Sequence, residues 1–359
     1  MKTAALLLAL LPTLAAAGHA EGKRRLDKRC TGTISSLDDI DEAVKCEDVV
    51  LTGFEVPAGE SLELDLLDGA TVTVTGEMSF AYKEWEGPLV TVKGDDIIFD
   101  GGGYKWDGNW DGEGGNGGKT KPKFFKVKFS GTMKDVVLYN QPVQGFSVSN
   151  PAALTMSGIT VDCSAGDEDE LGHNTDAFDV SSSTGLTIQD STIKNQDDCI
   201  AVNDATDLVF QNNVCDGGHG ISIGSIKTGK NVKNVQINNN KVTNSQQGLR
   251  IKTYSGATDA SVTDITYSGN TVTGATKYGV VIQQDYTNSG ATGTATDGVP
   301  ITGVYFSGET NTVAVEDDAK EIYILCAEGS CSDFDFSALK VSGGSAGSIT
   351  GVSVANSPI

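Results

Sequence analysis

Apolar residues recur in pairs through the middle of the chain, two positions apart and flanked by polar residues. Five six-residue segments carry such a pair at their third and fifth positions, and the segments begin 22, 21, 28 and 31 residues apart. They begin at Asp176, Asp198, His219, Gln247 and Tyr278. Successive side chains of a strand point to opposite faces, so each apolar pair occupies one face. Stacked strands of this kind would form a continuous apolar ladder, with the pairs Phe178/Val180, Ile200/Val202, Ile221/Ile223, Leu249/Ile251 and Val280/Ile282.

A second type of strand lies between these segments, with apolar residues beginning at Leu186, Leu208, Val235 and Ile265. Two strand columns that repeat with a drifting period are typical of the coils of a solenoid. Asn-rich turns such as residues 238–240 suit the bends, because Asn tolerates the left-handed backbone region. The pattern therefore predicts an all-β parallel β-helix with turns of variable length.

Two segments before the repeats have their own patterns. Residues Leu37 to Cys46 are the one candidate helix, and we expect it to cap the open N-terminal end of the solenoid. The glycine-rich stretch from Gly101 to Gly118 contains Trp106 and Trp110 and is interpreted as an irregular loop near the coil stack. Neither segment breaks the chain into separate domains.

The N-terminus has the pattern of a processed leader. Residues 1–17 place a lysine before an apolar run that is too short to span a membrane, which is typical of a secretory signal peptide. Residues 18–29 are polar and end in the dibasic pair Lys28 and Arg29, directly before Cys30. We therefore expect a pro-segment over residues 18–29, as in a zymogen, and one mature domain over residues 30–359. The mature protein is expected to be secreted and extracellular.

The charge of the chain limits the class of partner. The formal net charge is −22, and removal of residues 1–29, with six lysines and arginines and two acidic residues, would leave −26. So acidic a surface argues against nucleic acid and anionic membranes as partners. An anionic substrate is still compatible with it, because screening limits electrostatic attraction to about 8–10 Å and local cations can dominate there.

Seven cysteines in a secreted chain predict disulfides and one unpaired thiol. Pairing by proximity in the sequence joins Cys30 to Cys46, Cys199 to Cys215 and Cys326 to Cys331. The cysteine left over is Cys163, for which we expect a buried free thiol.

Candidate chemistry lies at the first positions of three successive segments, occupied by Asp176, Asp198 and His219. Neighbouring coils are about 4.8 Å apart, so these side chains would converge on one outer face, together with Asp197 from the adjacent turn. Carboxylates this close repel one another, and at least one should have a raised pKa and keep its proton. A protonated acid beside ionised carboxylates is the arrangement that glycoside hydrolysis requires.

The next coil adds two cations, Arg250 and Lys252. Both are at outward positions of their strand, where they can pair with the carboxylate of a uronic acid. The other outward positions of this column are Asp179, Ala201, Ser222 and Val281. A metal centre is not expected, because the chain has three histidines and no paired-histidine spacing.

Four motifs, in this order, resemble the signature segments of polygalacturonases, glycoside hydrolase family 28. They are Asn174-Thr175-Asp176, Asp197-Asp198, Gly218-His219-Gly220 and Arg250-Ile251-Lys252. The resemblance also extends to Gln283–Tyr286 and to the hairpin between Cys326 and Cys331. It implies a right-handed parallel β-helix whose single catalytic domain spans residues 30–359.

The resemblance also implies an activity and the residues that perform it. The activity is that of an endopolygalacturonase, which cleaves α-1,4-galacturonosidic linkages of pectate at random and inverts the anomeric configuration. Asp197 would be the general acid, Asp176 and Asp198 would activate water, and His219 would tune the aspartates by hydrogen bonding.

The same resemblance implies that galacturonate is bound around the scissile bond by Asn174, Arg250, Lys252 and Tyr286. It implies polygalacturonic acid or pectin as the partner. It also implies a monomer that needs no cofactor.

Four pectin-related activities are alternatives: exo-polygalacturonase, rhamnogalacturonase, xylogalacturonase and pectate lyase. A lyase would need calcium and a base for the C5 proton. A non-enzymatic carbohydrate-binding solenoid is a further alternative.

Overall fold

The computed structural model describes residues 30–110 and 119–359. The signal peptide (1–17), the pro-segment (18–29) and part of the glycine-rich loop (111–118) lie outside the described residues. Within them the chain is almost entirely β-structure, with 31 strands and a few short helical turns.

The N-terminal strands are β1 (Thr31–Ile34), β2 (Asp48–Leu51), β3 (Glu55–Val56), β4 (Leu62–Asp65), β5 (Thr71–Val74), β6 (Met78–Phe80), β7 (Val90–Asp100), β8 (Lys105–Asp107), β9 (Phe125–Lys134) and β10 (Val137–Tyr139). The central strands are β11 (Phe146–Val148), β12 (Leu154–Ser157), β13 (Thr160–Asp162), β14 (Phe178–Gln189), β15 (Thr192–Asn195), β16 (Ile200–Gln211), β17 (Val214–Gly217), β18 (Ile221–Ile226), β19 (Asn231–Asn238), β20 (Lys241–Thr243) and β21 (Gln247–Tyr254). The C-terminal strands are β22 (Ser261–Ser268), β23 (Thr271–Ala275), β24 (Tyr278–Tyr286), β25 (Ile301–Phe306), β26 (Asn311–Val315), β27 (Lys320–Leu325), β28 (Cys331–Asp335), β29 (Leu339–Ser342), β30 (Ser345–Thr350) and β31 (Val354–Ala355).

These strands pair in parallel from one coil to the next. One sheet contains eleven strands, one from each coil, running from β3 to β29. The other twenty strands form a second sheet. The long strands of this sheet pair with one strand of a neighbouring coil in their first half and with another in their second half. For example, β14 pairs with β11 through its first half and with β12 through its second half. This coil-on-coil pairing is a parallel β-helix, as the spacing of the repeats predicts.

Both apolar columns predicted from the sequence have the expected register. Phe178 lies opposite Ile200, and the first column continues through Ile221, Leu249 and Val280. The second column aligns Leu186, Leu208, Val235 and Ile265. All nine side chains are buried. The core is therefore one continuous stack that runs along the axis of the coils.

Aromatic side chains fill the N-terminal part of this core. Phe125, Phe146 and Phe178 stack on successive coils, with ring centroids 5.1 and 5.3 Å apart. Trp106 packs against Phe125 at 5.0 Å and is fully buried within β8. The prediction of an irregular loop over Gly101–Gly118 is therefore wrong at residues 105–107, because an apolar indole between polar neighbours follows strand alternation.

The N-terminal helix is shorter than predicted. A 3₁₀ turn, Leu37–Asp39, leads into the α-helix α1, Ile40–Ala43, and helix geometry ends before Cys46. The Asp39 carboxylate accepts backbone N–H groups of Ser35 and Ser36, which fixes the start of the turn. α1 packs directly on β1, since a Cβ at Gly32 would lie 2.5 Å from the Ala43 backbone. Further 3₁₀ turns lie within Ser164–Glu170, where non-helical backbone at Glu168 and Asp169 interrupts them.

The cysteine predictions are confirmed. The three disulfides join Cys30 to Cys46, Cys199 to Cys215 and Cys326 to Cys331. Cys163 is free and buried, and this burial raises the pKa of its thiol to about 12. Among the described residues, no helix has the length and apolar character needed to cross a membrane.

Four buried asparagines stack where the turns of consecutive coils meet the following strands, and they form a ladder: Asn213, Asn240, Asn270 and Asn311. The side-chain oxygens of Asn240, Asn270 and Asn311 each accept a hydrogen bond from the backbone N–H of the preceding asparagine, at 3.0 to 3.1 Å. The side-chain oxygen of Asn213 accepts one from the backbone N–H of Ser191 at 3.0 Å. Each side-chain amide also donates to a backbone carbonyl of the preceding coil, as from Asn240 to Phe210 at 2.9 Å. The ladder therefore satisfies turn groups that strand pairing leaves free.

Removal of one rung should destabilise the fold without touching the outer face. Asn240→Ala would leave the backbone N–H of Asn213 and the carbonyl of Phe210 buried without these partners. Each such group costs about 1–3 kcal/mol, so we expect the free energy of unfolding to fall by about 3 kcal/mol. Urea denaturation followed by circular dichroism measures this difference.

The matched control is Asn238→Ala, at the last residue of β19 and two residues before Asn240. Asn238 is half-buried, and its side chain donates one long hydrogen bond, 3.5 Å, to Gln236. Its loss should change stability by no more than about 0.5 kcal/mol. Equal effects of the two substitutions would contradict the structural role of the ladder.

Candidate active site

The coil register places the candidate residues in one line. Because Phe178, Ile200 and Ile221 lie opposite one another, the residues two positions earlier, Asp176, Asp198 and His219, occupy equivalent places on successive coils. They sit in the turns just before the strands begin. All eight residues predicted for catalysis or substrate binding line one cleft of about 760 Å³: Asn174, Asp176, Asp197, Asp198, His219, Arg250, Lys252 and Tyr286.

Asp197 is held by groups on both sides of its carboxylate. One oxygen accepts the backbone N–H of Asp198 at 2.8 Å and lies 3.0 Å from Nδ1 of His219. The other oxygen is 3.5 Å from the side-chain amide of Asn174, which adopts a left-handed backbone conformation with φ of 55°. These contacts orient the carboxylate while leaving it more exposed than Asp176 or Asp198.

Asp198 is buried and bound by cations. One oxygen accepts hydrogen bonds from Ser222 Oγ at 2.7 Å and from the Arg250 guanidinium. The other oxygen accepts a hydrogen bond from Lys252 Nζ at 2.7 Å. Burial alone would raise the pKa of Asp198, but Arg250, Lys252 and His219 outweigh it and lower the pKa to about 2. This carboxylate therefore stays ionised throughout the mildly acidic range.

Asp176 has the opposite electrostatic environment. Burial raises its pKa well above the usual range, and the negative charges of Asp197, Asp179 and Asp198 raise it further against a smaller opposing effect of Lys252. Burial also raises the pKa of Asp179, although Lys123 lies 3.7 Å away and opposes the shift. The raised pKa of Asp176 agrees with the expectation that at least one carboxyl group of the cluster has a raised pKa.

The two predicted substrate cations are partly committed to the protein. Arg250 donates through Nε to Ser222 Oγ at 2.9 Å as well as to Asp198, and only 7% of the residue is exposed. Lys252 is 5% exposed, and its Nζ lies 5.0 Å from the centre of the Tyr286 ring. Their outward positions are thus buried rather than free, because the two side chains pack over Asp198.

Three residues could offer ligand atoms to a metal. Atoms of Asp197, Asp198 and His219 lie within 4.8 Å of one another. However, both oxygens of Asp198 already accept hydrogen bonds from Arg250 or Lys252, whose positive charges would repel a metal cation. This donor set suits an anion-binding or proton-transfer site better than a metal centre.

Two further residues belong to this cluster, although the sequence did not predict them as site residues. Ser222 bridges Arg250 and Asp198, and Asp179 contributes a third negative charge near Asp176. Both occupy the outward column that also contains Arg250. Their place in that column was a usable signal, but a lone serine or aspartate on a strand is usually a solvent-exposed residue.

The chain is similar in sequence to fungal polygalacturonases along most of its length. A probable endopolygalacturonase A from Aspergillus parasiticus is 46% identical over 346 residues, which cover 92% of this chain and 93% of the relative. Polygalacturonase 2 from Penicillium olsonii is 49% identical over 312 residues, 83% of this chain and 80% of the relative.

Solved structures agree with the sequence relatives. Endopolygalacturonase I from Stereum purpureum, solved with two galacturonates, superposes with a TM-score of 0.84 at 46% identity, over 90% of this chain and 98% of that one. An endo-xylogalacturonan hydrolase from Aspergillus tubingensis has the same fold, with a TM-score of 0.66 at 21% identity. Residues 46–358 match the family model described as Glycosyl hydrolases family 28. The chain therefore belongs to glycosyl hydrolase family 28.

Proposed function

We propose that this protein is an endopolygalacturonase, which hydrolyses internal α-1,4-galacturonosidic linkages of polygalacturonate. The proposal rests on one cleft that contains both a carboxyl group with a raised pKa, Asp176, and one with a lowered pKa, Asp198. Two cations, Arg250 and Lys252, line the same cleft. The carboxyl groups supply the acid and base of glycoside hydrolysis, and the cations match a uronic acid. The endopolygalacturonases that are 46% identical to the chain support the same substrate.

In the proposed mechanism the aspartates share one catalytic proton. Asp176 titrates together with its neighbours, so the proton belongs to the cluster rather than to one carboxyl group. We assign it in the substrate complex to Asp197, the most exposed aspartate of the three and the partner of His219. From there it passes to the glycosidic oxygen as the bond to the leaving sugar breaks.

Asp176 and Asp198 are assigned to the attacking water. Asp198 is ionised and fixed by Arg250 and Lys252, so it can hold a water molecule in one orientation. Asp176 accepts the proton of that water once its own proton has moved to Asp197. The water attacks the anomeric carbon on the face opposite to the leaving oxygen, which inverts the configuration.

A covalent mechanism is the alternative, because atoms of Asp197 and Asp198 lie within 4.8 Å and retaining enzymes separate their carboxyl groups by about 5–5.5 Å. Yet Asp198 accepts hydrogen bonds at both oxygens and has a pKa of about 2. Such a carboxylate is a weak nucleophile, which favours attack by water.

Substrate binding is assigned to four residues around these aspartates. Arg250 and Lys252 have donors beyond those used by Asp198, and these can pair with a galacturonate carboxylate. Tyr286 lies beside Lys252, where its ring can pack on a sugar face. Asn174 lies beside Asp197 and can hydrogen-bond a sugar hydroxyl.

The remaining proposals concern the state of the mature protein. We propose that the β-helix is right-handed, that α1 caps its N-terminal end, and that residues 30–359 form one catalytic domain. Removal of the signal peptide and the pro-segment would yield a secreted extracellular monomer without a cofactor. The three disulfides support an oxidising compartment.

Product analysis on de-esterified polygalacturonate tests the proposed activity. With a chelator present, we expect a rapid loss of viscosity and saturated oligogalacturonides, whose new reducing ends first appear by NMR as the inverted anomer. Release of monomer with little loss of viscosity would indicate an exo enzyme. Unsaturated, ultraviolet-absorbing products would indicate a lyase, and binding without new reducing ends would indicate a binding module.

Substitution of the proposed acid tests its role. Asp197→Asn keeps the shape of the side chain but removes the transferable proton, so we expect kcat to fall by about 10²–10⁴-fold with the fold unchanged. Reducing-end assays and circular dichroism measure the two quantities. The matched control is Asp95→Asn, at an exposed position of β7, which should keep wild-type kcat. Near-normal turnover of a folded Asp197→Asn protein would refute the assignment.

The raised pKa of Asp176 predicts a pH-dependent effect on stability. In the folded protein this pKa is above the unfolded value of 3.8, so its stabilising effect is complete below that pH and is lost as pH rises through the folded pKa. Asp176→Asn removes this loss. At pH 7 we expect the melting temperature to rise by roughly 2 °C or more, although activity is abolished.

The comparison that checks this prediction is thermal unfolding at pH 3.5 and at pH 7. The gain in melting temperature should appear at pH 7 and disappear at pH 3.5. An equal difference between variant and wild type at the two pH values would show that ionisation of Asp176 is not its cause.

A further inference from the structure

Two buried side-chain amides lie directly beneath the catalytic turns. Asn195 ends β15, two residues before Asp197, and Gln141 lies in a turn earlier in the coil stack. Each is 1% exposed. Neither lines the large cleft, so neither touches the substrate in the proposed mechanism. We refer to Asn195 and Gln141 together as the amide clamp.

The clamp binds the backbone of all three proposed catalytic aspartates. Asn195 Nδ2 donates to the carbonyls of Thr175 at 2.7 Å, Asp198 at 3.0 Å and Asp197 at 3.2 Å. Gln141 Nε2 donates to the carbonyls of Thr175 at 2.9 Å and Asp176 at 3.1 Å. The Thr175 carbonyl, which belongs to the peptide bond preceding Asp176, therefore receives both amides.

These hydrogen bonds are additional to ordinary coil pairing. The carbonyls of Asp176, Asp197 and Asp198 already accept backbone N–H groups at 2.8, 2.9 and 3.0 Å. The partners that donate them are Gly145, His219 and Ala177, respectively. The clamp is therefore not needed to satisfy these three carbonyls. What it adds is a direct link between three successive turns at the level of the aspartates.

Such a link matters because the aspartates lie outside the strands. Asp176, Asp197 and Asp198 are in irregular turns, where a backbone hydrogen bond to a neighbouring coil holds each carbonyl but regular strand pairing has not yet begun. Gln141 also leaves its own side-chain oxygen buried without a hydrogen-bond partner among the described residues, an unfavourable arrangement. Retention of an unfavourable group is typical of sites where function constrains the structure.

We propose that Asn195 and Gln141 are positioning residues, which hold the three aspartates at the separation that hydrolysis requires. The inference rests on the proposed function, since it concerns the same reaction. A displacement of about 1 Å at a catalytic group can reduce the rate about 100-fold. Loss of the clamp should therefore lower kcat while leaving substrate affinity nearly unchanged, because the binding residues are not clamped.

The clamp also predicts a shift in the pH profile. Asp176 is surrounded by the charges of Asp197, Asp179, Asp198 and Lys252. When the turns move apart, the Asp176 carboxyl becomes less buried and repulsion between the carboxylates weakens, so the pKa of Asp176 falls. Activity that depends on the shared proton is lost as pH rises through this pKa. The basic limb of the profile should therefore move to lower pH, an effect that loss of global stability does not produce.

The test uses two nearly isosteric variants of the full-length protein, Asn195→Leu and Gln141→Met, assayed by reducing ends on polygalacturonate. We expect kcat to fall by about 10–100-fold in each, with little change in KM and with the basic limb at lower pH. Gln141→Met is the more tolerant variant, since Asn195 still binds Thr175 and Gly145 still binds Asp176. If Asn195→Leu does not fold, the result for Gln141→Met alone tests the positioning role.

The matched control is Asn240→Ala, which removes a buried carboxamide of the asparagine ladder that contacts no aspartate. Below its unfolding transition it should keep wild-type kcat and pH profile despite lower stability. If the clamp variants behave in the same way, the positioning role is wrong. Failure of the wild type itself to cleave polygalacturonate would instead contradict the proposed function, and the clamp proposal with it.

Discussion

The parallel register of the core is the constraint on which the rest of the structure depends. Each inward side chain lies opposite an inward side chain of the next coil, as Phe178 lies opposite Ile200. Every outward and turn residue is therefore also placed about 4.8 Å from its counterpart. Groups far apart in the sequence, such as Asp198 and Lys252, meet because the core aligns their coils.

The cleft shows how one residue type acquires two behaviours from its surroundings. Asp176 and Asp198 are both buried and occupy equivalent places on adjacent coils. Asp198 meets two cations on the C-terminal side, which hold its pKa low, whereas burial raises the pKa of Asp176 and the neighbouring carboxylates raise it further. The difference in pKa between these two aspartates therefore arises from which coil each one borders. In so acidic a protein, the placement of a few cations determines the chemistry.

The sequence predicted the parts of this structure that repeat. The apolar columns, the three disulfides and the convergence of Asp176, Asp198 and His219 follow from periodicity and order along the chain. The strand at Trp106 was missed because a single short strand within a glycine-rich stretch has no repeat to identify it. Ser222, Asn195 and Gln141 were also missed, because their contacts depend on turn conformations that alternation does not specify. Burial of Arg250 likewise depends on packing against Asp198, which strand alternation leaves open.

The catalytic coils lie in the middle of the stack, with β1 to β13 on one side and β22 to β31 on the other. In a solenoid each coil contacts only its neighbours, and the ends open at lower free energy than the interior. Unwinding that begins at either terminus must pass through several coils before it reaches the aspartates. The outer coils thus protect the active cleft, because local unfolding at the chain ends does not by itself disrupt the catalytic coils.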